Sequence, residues 1–534
     1  MKPLKTANKT HINSVYNILN KSEYIILLSI LSIITVINII FTLCYQNPST
    51  ITRNTWNYNM AWSLLSIMIT IILIAIIIIK HDSIKDALNK LKLKHIIIIM
   101  SVFILIMSAL WITCTHYITT GDTAALIINA KNAVNHERLT QDFYLEKYPY
   151  QSGLFLYVYM FTLLFPNIKG SSIYTLTEYV NIGIILLTFL LIVKLTYEMT
   201  SKNALIAKYA SIITGLFLPI IVSVIIVYNN ILSIPFILLS IISTIKIINN
   251  EKRYLYTILL LFSVIIMGLL KPNNIIIAIA LIITFILQIS KSKQSWKNII
   301  IYLLLSIIMI PLMITSQNVS INAVSGITGI TMNDGDKQPV SVFIATGLSD
   351  DSSNGPGAYN GVLSNPKRQV QEQNEESKQI IHDRLDYFKE KPLQAVGFFI
   401  SKILYTWSDP TYSYATRPAN EMKNATNIQA FNYEFINSHI IMIIIRTISD
   451  IVCMMISITA VTGFIILNKN HTENNVIILP ALIITGGFLF HIIWETQPEY
   501  AYTYFLLFIP YAAVGLKTIN EFRLNKRISN ETNL

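Results

Sequence analysis

The run HIIIIMSVFILIMSALWITCTHY, His95 to Tyr117, decides the fold. It carries no Lys, Arg, Asp or Glu over 23 residues, and as a helix it reaches about 34 Å, enough to cross a hydrocarbon layer of ~30 Å. The same reading applied outward gives candidate spans at about 24 to 44, 61 to 80, 95 to 117, 173 to 195, 204 to 227, 231 to 248, 254 to 270, 272 to 289, 298 to 316, 438 to 467, 475 to 494 and 501 to 516. With 53% hydrophobic and 13% charged residues, the chain is expected to be an all-α polytopic membrane protein of about 12 transmembrane helices. The first run ends at Phe41 to Pro48 without a small-x-small site, so it is expected to stay as an anchor.

A net charge of +11 raises nucleic acid as a partner, but the basic residues sit in short loops between apolar runs, where they set topology. No nucleic acid is expected. The three cysteines, Cys44, Cys114 and Cys453, have no Cys or His at metal-ligand spacing, which argues against structural zinc and disulfides.

Orientation rests on the segment from Gly153 to Phe165, apolar but only 13 residues long. Without a crossing there, the basic clusters 80–94, 194–208, 246–253, 291–297 and 517–527 all share one side with the amino terminus. A crossing would put the middle clusters outside, against the positive-inside rule. Both termini are therefore expected in the cytoplasm, with residues 118 to 172 and 317 to 437 extracytoplasmic.

In the second of these segments, Ser349 to Gly357 reads as a turn cluster, Lys367 to Lys391 as a polar helix, and Pro392 to Trp407 as an interfacial helix with an apolar face. The chain then divides into 1–94 with two added spans, a catalytic core 95–316, an outer region 317–437 of mixed structure, and the carboxy-terminal spans 438–534.

Gly121-Asp122 stands four residues past the His95 to Tyr117 run. Asp122 reads as an N-cap for the helix that follows, or as a general base held at the bilayer surface; one side chain can serve both roles. Next come Glu146, Lys147, Tyr148 and Gln151, around a corner fixed by Pro149. Either this is a rigid corner with a surface charge pair, or Lys147 meets a lipid phosphate while Gln151 and the tyrosines contact phosphate or sugar.

Lys271 ends an apolar run on the outer side, where snorkelling and phosphate binding are equally available. Of the two lysines, Lys147 is preferred because it shares a loop with Asp122. Near the carboxyl end His491, Trp494, Glu495, Gln497, Glu499, Tyr500 and Tyr504 gather at a short turn. Trp494 and Tyr504 read as ordinary belt residues, and His491 as a satisfied buried histidine. Glu495, Gln497 and Tyr500 are retained as candidate substrate contacts.

This arrangement resembles the membrane glycosyltransferases of superfamily C, the group of protein O-mannosyltransferases and the lipid A aminoarabinose transferase. The resemblance is carried by Gly121-Asp122, the corner Phe143 to Gln151, Lys271-Pro272, and Trp494 to Tyr500 leading to Pro510-Tyr511-Ala512-Ala513. Two more stretches, Ala345 to Leu348 with Gly357 to Gly361 and Lys402 to Pro410, resemble a Gram-positive branch acting on cell-envelope glycans.

The resemblance implies a plasma-membrane enzyme that takes a sugar from a polyprenyl-phosphate donor to a wall polysaccharide, teichoic acid or glycolipid. Asp122 would be the base and outer lysines would hold the lipid phosphate. Relatives carry an Asp-Glu pair where this chain has Asp122-Thr123, and they include metal-dependent and metal-independent members, so a divalent metal stays open. A lipid-linked sugar flippase and a non-catalytic lipid-holding partner are the alternatives from other classes.

Overall fold

The computed structural model describes residues 24–37, 39, 60–117, 119, 121–290, 294–333, 335–350, 355–359, 361, 363–365, 368–418, 430–470 and 475–519. Parts of the expected span 24–44, of the turn cluster 349–357 and of the basic clusters 291–297 and 517–527 lie outside these. Among the described residues the regular structure is helical throughout, in the outer region 317–437 as well as in the bundle.

Among the described residues, nine helices are long and apolar enough to cross a membrane: Ala61–Ile79, Leu93–Thr115, Gly170–Met199, Asn229–Ile248, Arg253–Leu270, Pro272–Ile289, Trp296–Thr328, His439–Lys469 and Val476–Ile493. A tenth is a bent pair, Ala204–Leu216 with Leu218–Ile225, turned by 56°. One expected span takes another form, and one is described only in part. The run 24–44 is described only as the short helix Tyr24–Ile37. The run 501–516 is broken into Pro498–Phe505, a 3-10 turn Leu506–Phe508 and Ile509–Thr518, because Pro510 brings no N–H to a continuous ladder. A window of hydropathy counts apolar residues and is blind to such breaks.

Asn229–Ile248 is the central helix, with 83% of its apolar window buried. Close helix approaches rest on glycine. A Cβ on Gly463 would lie 1.9 Å from the Tyr511 carbonyl oxygen, and one on Gly515 1.9 Å from that of Thr459. Without the side chains, the His439–Lys469 span and the Ile509–Thr518 helix pack backbone to backbone. Gly153 does the same for Ser152–Leu164, against the Leu269 carbonyl. At 13 residues that helix is about 20 Å long, short of a bilayer core. The amino-terminal helices pack on the carboxy-terminal ones, with Tyr24 stacked on Phe464 at 5.6 Å.

At one end of the bundle a knot of charges joins the turns. Lys246 lies 2.6 Å from Glu198 and 2.7 Å from Glu251; Lys194 also reaches Glu198, and Lys202 reaches Glu251. At the other end, the segments after Leu93–Thr115 and after Trp296–Thr328 build a cap of short helices. It comprises Asp122–Val134, Asp142–Lys147 and Val340–Leu348, with the polar Val370–Glu390 and the apolar-faced Pro392–Trp407.

Candidate functional site

The site lies where the cap meets the bundle. Gly121 is the N-cap of Asp122–Val134, and Asp122 is the first helical residue rather than the cap itself. It accepts a hydrogen bond from the Tyr228 hydroxyl at 3.0 Å. Tyr228 in turn accepts from the Gln151 amide at 2.8 Å, and Gln151 Oε1 accepts from Asn229 Nδ2 at 2.6 Å. All three donors therefore point toward Asp122. Burial and the neighbouring carboxylate hold the Tyr228 phenol well above its usual range, so it keeps the proton that it donates.

Tyr228 is available because the bent span ends early. Thr123 donates to the Val227 carbonyl at 2.7 Å, fixing the chain just before Tyr228. Two residues on, Asn230 Oδ1 accepts from the Lys271 ammonium, which also stands 4.8 Å above the Tyr500 ring. Lys271, Asn230, Ser233, Asn274, His491 and Tyr500 line one polar cleft. Lys271 retains some exposure along it, yet the dense surroundings pull its ammonium down to about 8, against the pull of Glu499 and Glu495.

The Trp494 to Gln497 turn is stitched into the cap. Glu495 N donates to Phe343 O and Thr496 N to Gly357 O, both at 2.9 Å. Gly347 allows this, since a Cβ there would sit 2.1 Å from the Ile493 carbonyl oxygen. Lys402 donates to the carbonyls of Gly347, Ile492 and Trp494, and burial draws it down to about 7. Glu495 is pushed up to about 7 by burial, with Asp122 and Glu499 adding to the rise and Lys402 opposing it. It accepts from the Tyr500 hydroxyl at 3.4 Å, and Glu499 pairs with Arg417.

The Pro149 corner faces elsewhere. Lys147 is buried, donates to the Arg368 carbonyl at 2.8 Å, and its own carbonyl accepts from Gln338 N. Tyr148 donates to Ser364 O at 2.8 Å. Glu146 stays partly exposed, its carboxyl raised by burial and then by Asp142 and Asp336. Lys147 and Tyr148 join the two cap segments, while Gln151 connects to Asp122 through the Tyr228 hydroxyl. Gln497 opens the helix Pro498–Phe505, its carbonyl accepting from Tyr500 N.

The structure thus brings Asp122, Gln151, Lys271, Glu495 and Tyr500 together and turns Lys147 toward the cap backbone. Tyr228, Asn229, Asn230 and Lys402 are additions to the candidate set. The sequence signal for the first three was the polar triplet 228–230 before an apolar run. Among the described residues, no group of three or more His, Cys, Asp or Glu is placed to hold a metal ion.

A family model described as a conserved hypothetical integral membrane protein matches residues 18–516. No curated protein matches the chain. With nearly its full length inside the match and nine apolar helices of spanning length, the chain belongs to this family of integral membrane proteins.

Proposed function

We propose that the protein is a glycosyltransferase that moves a sugar from a polyprenyl-phosphate donor to an envelope glycan or lipid on the extracytoplasmic side of the plasma membrane. One observation supports the reading most: the consecutive residues Tyr228, Asn229 and Asn230 organise a carboxylate on one side and a lysine on the other. That pairs a proton acceptor with a holder of negative charge, the two groups that inverting transfer from a lipid phosphate needs.

In the proposed step the acceptor hydroxyl oxygen attacks the anomeric carbon and its proton passes to Asp122. The bond from that carbon to the phosphate oxygen breaks, and the electron pair leaves with polyprenyl phosphate. Lys271 faces the growing charge, which a point charge in a low-dielectric site stabilises best. The directed chain from Asn229 through Tyr228 keeps Asp122 aimed at the cleft. Glu495, near half-ionised at neutral pH, and Tyr500 take sugar hydroxyls.

The test is turnover of a polyprenyl-phosphate sugar by purified protein with envelope acceptors, beside the Asp122→Asn variant. Release of polyprenyl phosphate that depends on Asp122 supports transfer, whereas movement of intact donor across vesicles without bond cleavage supports the flippase. Sidedness is read by thiol labelling of intact cells: Gln379→Cys should react with an impermeant reagent and Lys90→Cys should not.

A further inference from the structure

The span Gly170–Met199 carries Glu178 with about 1% of its surface exposed, and neither carboxyl oxygen receives a hydrogen bond from the described residues. Three residues on, the Asn181 Oδ1 oxygen is also buried without a donor. Tyr174, Glu178 and Asn181 recur at i, i+4 and i+7 and share one helix face. That face holds the unwound end of the bent span. Tyr174 donates to Ile225 O at 2.7 Å, and Asn181 Nδ2 bridges Val224 O and Ile226 O at 3.0 Å each.

Among the described residues no ion pair to Glu178 is formed. On the helices packed against this span, Lys131 donates to Ile168 O, Lys208 to Leu88 O, and Lys246 pairs with Glu198 and Glu251. Asp122 is engaged by Tyr228, and the phenol that shares this face is that of Tyr174, whose ring meets the Tyr117 ring at 5.8 Å. An ionised carboxylate buried without a partner is among the costliest arrangements in a protein interior.

We propose that Glu178 is a proton-binding site within the bundle, held as a neutral carboxylic acid whose O–H donates to Asn181 Oδ1. One proton then satisfies the amide oxygen and removes the charge. It also fixes the amide orientation that bridges Val224 and Ile226, which makes Glu178 a positioning residue for Tyr228 and, on the glycosyltransferase reading, for the base.

The test reads the protonation state directly and needs no transfer activity. The infrared difference spectrum of wild type minus Glu178→Gln, in detergent at neutral pH, should show the C=O stretch of a protonated carboxyl; carboxylate bands in its place would overturn the proposal. Glutamine can still donate to Asn181, so Glu178→Gln should keep the amide exchange of residues 224–228 slow. Glu178→Leu should speed it roughly tenfold, the loss expected for one hydrogen bond. Equal exchange in the two variants would remove the positioning role. Failure of the transfer assay with both results intact would leave the proton site standing and the enzyme reading fallen.

Discussion

The two ends of the bundle use charge in opposite ways. At the 194–253 end, Lys246 lies between Glu198 and Glu251, Lys194 and Lys202 add to the knot, and Glu251 is held below its usual range by the Lys246 ammonium. At the cap end, Lys271 is bound to a neutral amide, Lys402 to three carbonyls, and Glu495 to a phenol. There the acid is pushed up and the lysines are drawn down, toward neutrality from both sides. Charges that neutralise one another hold helix ends together. Charges solvated only by neutral dipoles remain available to a ligand, and such mismatched groups concentrate at functional sites.

The strongest challenge to this contrast is Asp122→Asn. It should lower transfer by ~10²- to 10⁴-fold while thermal stability stays near wild type, measured by turnover beside a melting curve. Wild-type turnover would leave Asp122 as a helix start and nothing more. At the opposite end, Lys246→Met should cost about 1.5 to 3 kcal/mol by removing the ammonium shared by Glu198 and Glu251 while Lys194 and Lys202 remain, seen as a lowered melting point with donor dependence unchanged.

Lys271→Ala should weaken donor use and slow transfer together, by about 1.5 to 3 kcal/mol in kcat/KM. Lys147→Ala should instead loosen the cap, with increased protease sensitivity near 338–368 and little change in donor KM. If Lys147 governs donor KM and Lys271 does not, the proposed phosphate site moves to the Pro149 corner. The smallest effect is on pH. Because Lys271 titrates at about 8, its charge is present below that value and lost above it. The KM for donor should rise gradually as pH passes 8, and Lys271→Arg should shift that rise to higher pH.

The sequence made the helices legible where a single periodicity ran undisturbed. The polar helix Val370–Glu390 and the apolar-faced Pro392–Trp407 fall where the pattern puts them, and most long spans begin and end within a few residues of their apolar runs, although Trp296–Thr328 continues well past the expected end at 316. Breaks were less visible, since Pro510 and the bend after Leu216 interrupt hydrogen bonding without interrupting hydropathy.

In the candidate site, Asp122, Lys271 and Glu495 could be named because an isolated charge beside an apolar run is conspicuous. Tyr228 and Asn230 could not, because a tyrosine or asparagine at a helix end is ordinary until its partner is known. Lys402 was hidden by the apolar face of its own helix. Lys147 shows the converse: the chain says that the Pro149 corner is rigid, but which wall it faces depends on residues near 368.

The cap joins parts of the chain made far apart in time. Asp122 and Lys271 emerge from the ribosome early, while Glu495 and Tyr500 follow the last long spans, and Lys402 ties that late turn to the middle of the chain. During synthesis the lysine therefore waits without the ring and carboxylates that later surround it. On the glycosyltransferase reading, a chain stopped after residue 475 should insert into the membrane and show no transfer, the site being incomplete until its final helices arrive.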